Sequence, residues 1–320
     1  MPIFMDRHNI PGVTAEHVAQ AHQIDLRVQD KYNCKALTYW FDEKSGIAFC
    51  LIEAPQKESV VNMHNNAHGL IPNQIIEVEQ NLVKLFLGRI TDPNPSGKLN
   101  TVQNVINEPG FRTILNVELK NFPLLISKTG DGKISGLLND FKEIINEALN
   151  KYEGRKIKNT LDEVIASFNP VLSSCKCAIR ILDDLKNHNK NSEIKLTAAI
   201  GINTGAPVTD GNGFFGETVQ LAKRLCEAAQ GGEILLSSSI KDFYIQGELK
   251  NLQKEKSLKS LKPSEEKFLN RLMDLTESIW NHENFNINDF CKRIGLSKSQ
   301  LNRNINSLTG YSPHKFIKDY

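Results

Sequence analysis

The stretch from Asn286 to Tyr320, NINDFCKRIGLSKSQLNRNINSLTGYSPHKFIKDY, constrains its own fold more tightly than any other part of this chain. Asn286 is a helix cap with Asp289 in the first turn, where a carboxylate meets free amides. Phe290, Cys291 and Ile294 make an apolar side, and Gly295 ends the helix in the left-handed position that glycine tolerates. Ser297-Lys-Ser-Gln300 has capping-box spacing and starts a second helix. Leu301, Ile305 and Leu308 recur at the helical period and form its buried stripe. That leaves Lys298, Ser299, Asn302, Arg303 and Asn306 outward, a set able to reach phosphates and base edges of double-stranded DNA. Small Cys291 fits where two such helices approach closely.

From Cys291 onward six lysines or arginines face one acid, whereas the whole chain carries only +2, so the positive charge is concentrated where phosphate contact requires it. A helical hairpin with a solvated basic face explains the charge but not the agreement of caps, glycine and polar face in one register. The run Phe268 to Tyr320, and IGLSKSQLNRNINSLTGYSPHKFIKDY in particular, resembles the AraC/XylS family of bacterial regulators. That resemblance implies two helix-turn-helix units joined by a helix, whose start is Ser312-Pro313. The second unit would fall beyond Tyr320, so the resemblance implies half of the usual DNA reader.

Length, 320 residues, allows two or three domains. Near-neutral charge gives no general argument for nucleic acid or membrane; only the tail does. No apolar run approaches the ~20 residues of a membrane span, and no basic-then-apolar leader opens the chain. Six scattered cysteines lack paired zinc spacing, which points to a reduced cytoplasmic interior; Cys175-Lys-Cys177 is a weak metal signal.

Residues 1–90 read as a small α/β domain. PIFMDR is a strand, Thr14 to Asn33 a helix, KALTYWFD and GIAFCLIEA two strands around the turn Glu43-Lys-Ser-Gly46, Pro55 to Ala67 a helix and IIEVE a strand. The order βαββαβ is the ferredoxin-like arrangement. Five of the eight histidines lie here: His8, His17, His22, His64 and His68. His64 and His68 share a helix face, as do His22 and Asp25. Imidazole with carboxylate suits nickel, zinc or copper, but on spacing alone surface histidines are the better reading. MDRH, AHQID, YWFDEKSGIAFCLIEAP and MHNNAHG followed by IIEV resemble a small family of bacterial nickel-binding ferredoxin-like domains. The resemblance implies a metal sensor with His8, His22, Asp25, His64 and His68 as ligands.

A linker at 91–110 carries TDPNPSGKLN. Residues 111–247 then alternate strands and helices as a packed α/β domain does. FRTILNVELKNF is a strand, Leu137 to Tyr152 an amphipathic helix, IKNTLDEVIASF a hairpin, Cys175 to Leu185 a helix, IKLTAAIGINTG a strand, GETVQLAKRLCEAAQGG a helix and EILLSSSI strand-like. FRTILNVELKNF, GRKIKNTLDEVIASF, KLTAAIGINTG, FFGETVQLAKRL and AAQGGEILLS resemble, in order, class III adenylate/guanylate cyclases. The resemblance implies a homodimer, ATP or GTP as ligand, and magnesium or manganese held by two carboxylates. It puts Glu118 at the first metal position, where the family has aspartate, and Asp162 at the second, preceded by Leu161 instead of glycine. Lys158 falls at the base-reading lysine, but Gly213 replaces its aspartate partner. Gln220 replaces the transition-state asparagine, and Arg224 keeps the arginine. Together these departures argue against efficient catalysis, since a misplacement of ~1 Å costs about a hundredfold in rate.

Residues 248–263 are lysine-rich and read as a solvated linker. Ser264-Glu-Glu-Lys caps a further helix with Phe268, Leu272, Leu275 and Ile279 as its inner stripe, opening an all-α helix-turn-helix domain over 264–320. The expected protein is an α+β multidomain regulator: a metal sensor, a degenerate cyclase-like domain for nucleotide binding or dimerisation, and a DNA-binding tail. A working cyclase, or a nickel-binding protein without DNA function, are the alternatives.

Overall fold

The computed structural model describes the chain apart from 94–104, 121, 129–130, 212, 241–251, 253–254, 280–286 and 320. It divides into two compact units, Met1–Arg112 with Gly205–Glu217, and Thr113–Thr204 with Thr218–Tyr320.

The first unit runs β1 (Ile3–Asn9), α1 (Ala15–Val28), β2 (Lys35–Asp42), β3 (Ile47–Glu53), α2 (Lys57–Ala67), β4 (Gln74–Glu77) and α3 (Gln80–Leu87). Its sheet has the order β2-β3-β1-β4, the ferredoxin-like topology expected from the sequence. Thr14 caps α1 by accepting from the His17 amide. The helix stops five residues short of the expected Asn33, because a 3₁₀ turn follows and Asn33 closes it at φ 52°. Strand alternation splits the core. Phe4, Tyr39, Phe41, Ala48 and Ile52 face α1 and α2, whose Val18, Ala19, Val60 and Met63 cover them. On the opposite face Phe49 meets Phe111 at 6.1 Å, and the Arg89 guanidinium lies 4.4 Å over Trp40. Arg112, fully buried, donates to the last carbonyls of α3 (Phe86 and Leu87, both 3.1 Å) and to Glu108 at 2.9 Å. The segment 205–217 packs into this unit through Phe215, stacked on Phe86 at 4.7 Å.

The second unit holds a six-stranded sheet. Its elements are β5 (Arg112–Leu119), α4 (Phe122–Lys128), α5 (Asp131–Lys151), β6 (Arg155–Asn159), β7 (Glu163–Phe168), α6 (Val171–Asn191), β8 (Ala198–Gly205), α7 (Gly216–Ala228), β9 (Ile234–Leu236) and β10 (Leu258–Ser260). The strand order is β10-β9-β8-β5-β7-β6. Leu115, Val117 and Leu119 of β5 pack on Phe141, Ile145 and Leu149 of α5 and on Cys175, Ala178 and Ile181 of α6. Both Cys175 and Cys177 sit in that core as apolar filling, and burial pushes each thiol up to about 12. β10 corrects the linker expectation. Leu258–Ser260 extends the sheet in parallel with β9 and Leu261 is buried, because backbone pairing with β9 (Ile234 amide to Ser257 carbonyl at 2.7 Å, Leu261 amide to Leu236 carbonyl at 3.0 Å) completes the sheet edge.

Among the described residues four helices follow: α8 (Pro263–Ile279), α9 (Ile287–Ile294), α10 (Lys298–Thr309) and α11 (Pro313–Asp319). α8 begins at Pro263, not after a Ser264 cap, and the Lys262 amide donates to Glu265 Oε2 at 2.8 Å. Its fully covered residues are Leu269, Leu272, Met273 and Thr276, so the inner face is turned from the expected one and Phe268 and Leu275 lie half-buried at its rim. The expected Asn286 cap, and the side chains of Ile279 and Asp289, lie outside the described residues. Gly295 ends α9 at φ 72° and Ser297–Gln300 forms a reciprocal capping box at α10. Leu225, Cys226 and Ala228 of α7 share one apolar core with Leu269, Leu272 and Met273 of α8 and with Phe290, Ile294, Leu301 and Ile305 of α9 and α10. Among the described residues no helix is long and apolar enough to cross a membrane.

β8 and α7 cross at Gly201, where a Cβ would overlap the Ala222 carbonyl and the Cys226 amide. Gly201→Ala should therefore cost about 2 kcal/mol or more through overpacking. Gly136→Ala, in open space on α5, should raise stability by roughly 0.5–1 kcal/mol. Chemical denaturation followed by circular dichroism separates the two outcomes.

Candidate functional site

Two groups of donor side chains meet between the sheet and the helices of the first unit. Asp6 and His8 are two apart on β1 and point to the helix side; Cys50 lies opposite Asp6 in the β1–β3 register. His64 and His68 descend from α2, and His22 and Asp25 from α1. One donor atom each from Asp6, His8, Cys50 and His64 lies within 4.8 Å of the others, and the same holds for Asp25, His64 and His68. His64 belongs to both groups. Its Nε2 is 2.9 Å from Asp6 Oδ2 and its Nδ1 3.2 Å from Asp25 Oδ1. His68 Nε2 stands 3.2 Å from Asp25 and 3.1 Å from His64 Nδ1. Between them is a cavity of about 20 Å³, roughly the space for one water-sized particle, bordered by His8, His22, Asp25, Cys50, His64 and His68.

The electrostatics follow from burial. Asp6 has no exposed surface, which disfavours its charge, yet His8 and His64 hold its carboxyl well below the usual range and the Cys50 amide donates to it at 3.0 Å. Asp25 is lowered in the same way against its burial by His64 and His68. Burial opposes a charged ring at His64, but the two carboxylates prevail and push it up to about 10. Both its nitrogens face carboxylates, which only an imidazolium can satisfy by donating. His8 is left over. Its Nε2 is 3.2 Å from Asp6 Oδ1 without hydrogen-bond alignment, and neither ring nitrogen has a hydrogen-bond partner although the residue is buried. Orphaned imidazole nitrogens beside carboxylates and a thiol are a donor set that fits nickel, zinc or copper. Of the five residues expected as ligands, His8, Asp25, His64 and His68 converge. His22 borders the cavity but its Nε2 is directed to Asp92 at 3.3 Å. Asp6 and Cys50 were not expected; the Asp-x-His spacing on a strand was the available signal.

In the second unit Glu118 and Asp162 are brought close by the backbone, since the Leu119 amide donates to the Asp162 carbonyl at 2.8 Å. Glu118 is paired with Lys120 at 3.3 Å, and Asp162 accepts from Thr160 Oγ1 at 3.2 Å. Lys158 is held by Glu163 at 2.6 Å, and Lys223 reaches the same carboxylate at 3.6 Å. Glu227, absent from the expected set, is pushed up to about 7 by burial, with the charge of Glu118 adding to it against Lys120 and Lys223. Gln220 is exposed on α7, whereas Arg224, one turn on, is buried with its guanidinium on Asn270, Asp274 and Glu277 of α8. Gly213 stands at φ 95° in the segment that packs with the first unit.

On α10, Lys298, Ser299, Asn302, Arg303 and Asn306 are all exposed, while Leu301 and Ile305 are fully buried and Leu308 partly so. Ser312 caps α11 by accepting from the Lys315 amide at 3.3 Å.

With this geometry established, comparison with known proteins finds two family models. One described as "Nickel responsive protein SCO4226-like" matches residues 4–78, and one described as "Adenylate and Guanylate cyclase catalytic domain" matches residues 110–270. The chain is 21% identical over 132 residues to "Putative adenylate cyclase 3" of Rhizobium meliloti (strain 1021), covering 41% of this chain and 22% of that protein. It is 27% identical over 126 residues to an uncharacterized protein of Mycobacterium bovis, covering 39% and 32%. The chain thus spans between 22% and 32% of the length of these curated relatives. Among solved structures, SCO4226 from Streptomyces coelicolor A3(2) is 39% identical, with 24% of this chain and 94% of that one covered and a TM-score of 0.23. The monomeric guanylyl cyclase domain of the RhoGC fusion protein from Blastocladiella emersonii is 20% identical, with 42% and 85% covered and a TM-score of 0.38.

The His64 shift gives a sign for pH dependence. Its folded pKa of about 10 lies above the unfolded value of about 6.5. Its stabilisation is therefore complete below pH 6.5 and lost as pH rises through about 10. Metal-free protein should unfold at progressively lower temperature across that window, and His64→Gln should flatten the profile. Equal slopes for both proteins in calorimetric scans would remove the imidazolium from the account.

Proposed function

Because the chain belongs to the adenylate and guanylate cyclase catalytic domain family, through residues 110–270, we propose a regulator in which that fold binds nucleotide between a metal sensor and a DNA reader. The sensor is the SCO4226-like domain at residues 4–78. The observation that carries the reading is the buried donor cluster around His64, with His8 unsatisfied beside it. His8, Cys50, His64 and Asp6 would hold a nickel or zinc ion, with Asp25 and His68 sharing His64 on the other side. Metal binding has to expel the proton that His64 holds at neutral pH.

In the cyclase-like fold the adjacent Glu118 and Asp162 would hold magnesium or manganese with ATP or GTP. Gln220 and Gly213 stand where the resemblance requires asparagine and aspartate, and Arg224 and Lys158 are already engaged. This set supports binding and homodimerisation over efficient turnover. The retained carboxylate pair favours one other reading, a working cyclase. For the tail, the exposed polar face of α10 on a buried stripe supports contact with double-stranded DNA in the manner of AraC/XylS regulators. The domain division at 1–90, 111–247 and 264–320, with β10 added to the sheet of the middle domain, belongs to the same proposal, as does a cytoplasmic location.

Titration calorimetry of the full chain with nickel and zinc tests the sensor. Binding at micromolar metal, weakened at least about tenfold by His64→Ala, is expected; absence of heat removes the sensor. Selection from random DNA should enrich a motif whose affinity falls on Arg303→Ala and with salt, whereas salt-sensitive binding without preference would sink the DNA-reader assignment. Cyclic nucleotide formed from ATP or GTP with manganese, and lost on Asp162→Ala, would establish the cyclase reading instead.

A further inference from the structure

Arg224 is the point at which the cyclase-like fold and the tail helices lay claim to the same group. Its Nη1 donates to Asn270 Oδ1 at 3.0 Å, and its Nη2 to the carboxylates of Asp274 and, at 3.2 Å, Glu277. Asn270, Asp274 and Glu277 follow one another at helical spacing, so a single face of α8 supplies all three acceptors. The Arg224 side chain is 6% exposed, against 65% and 47% for the two acids. Two wet carboxylates therefore reach in to a cation that α7 has taken out of water. Arg224 Nε is buried with no partner, a donor that the clasp leaves unused.

α8 does not move alone. Leu269, Leu272 and Met273 lie in the core that also contains Phe290, Ile294, Leu301 and Ile305. Any shift of α8 away from α7 therefore disturbs α10, the helix that carries Lys298 and Arg303.

We infer that the acids of α8 and a nucleoside triphosphate compete for Arg224, so that nucleotide binding and docking of the tail helices oppose each other. The inference rests on the nucleotide-binding reading of the cyclase-like fold. A guanidinium presents its donors in a fixed fork suited to carboxylate and phosphate alike. With both outer nitrogens on α8, a triphosphate reaching Arg224 has to displace carboxylates of its own charge sign. Coupling of this kind is reciprocal: whatever loosens the clasp tightens the nucleotide by the same factor, and nucleotide loosens the clasp. The tail then reports the nucleotide state without any turnover.

The test uses the full chain and an Asp274→Asn/Glu277→Gln double variant. Both altered side chains are about half exposed or more, so the core is untouched. ATP affinity is measured with manganese present, and amide hydrogen exchange over residues 263–309 is followed with and without ATP. The double variant should bind ATP about tenfold more tightly, the scale of losing charge-assisted hydrogen bonds at a partly exposed site. Arg224→Lys in either background should erase that gain, and ATP should accelerate exchange of α8 to α10 in the unaltered protein. Equal ATP affinity in the unaltered protein and the double variant, with exchange indifferent to ATP, overturns the competition alone. No ATP binding by any form overturns the nucleotide reading and the competition with it. Should the double variant fail to fold by circular dichroism, Asn270→Ala removes one acceptor and carries the same test with a few-fold gain.

Discussion

Charge removed from water has to be answered by opposite charge or by hydrogen bonds, and both units are arranged around groups that impose this demand. Asp6 sits on the helix-facing side of the sheet with no exposed surface. It is tolerated because His8, His64 and the Cys50 amide surround it. Arg112, equally buried, is met by the carbonyls that close α3. Arg224 is met by α8. In each case at least one partner comes from another element, so the buried charge dictates which elements must lie together. Removing one partner of such a set leaves an uncompensated charge, which costs far more than the intact set contributes.

The donor cluster of the first unit illustrates how such a demand becomes a binding capacity. Protons hold the metal-free arrangement together: an imidazolium at His64 bridges Asp6 and Asp25. On the proposed reading, a divalent cation would take the place of that proton. His8 is the asymmetry in the set, because it is buried and neither ring nitrogen meets a partner in hydrogen-bond geometry. The second unit uses its buried cation differently. There the guanidinium joins the cyclase-like fold to the helices that follow it, and β10 adds covalent and hydrogen-bonded continuity to the same junction.

Much of the local structure was legible in the residues. The βαββαβ order, the hairpin of β6 and β7, Gly295 and the Ser297 capping box all rest on short-range chemistry, and each stands where periodicity or turn residues put it. The exposed face of α10 follows from the same short-range rule, since Leu301 and Ile305 leave their neighbours only the solvent side. Where α8 was expected to begin at a Ser264 cap, Pro263 already occupies its first turn. Where a lysine-rich linker was expected, three residues complete a sheet edge, a long-range pairing that local composition does not encode. His22 shared a helix face with Asp25 as expected, yet its ring turns to Asp92, because helical spacing sets direction but not partner.

The chain's own sequence determined which elements form and which faces they bury, since caps, turns and apolar periods act over a few residues. Its motifs, through the resemblance they carry, also implied His8, His22, Asp25, His64 and His68 as metal ligands, and four of these five converge. Only the tertiary structure decided that Asp6 and Cys50 join them, because strand register, not sequence distance, sets a cysteine of β3 opposite an aspartate of β1. In the same way only the packing of α8 on α7 decided that Arg224 answers to Asp274 and Glu277. Those partners lie fifty residues or more along the chain, beyond the reach of any local rule.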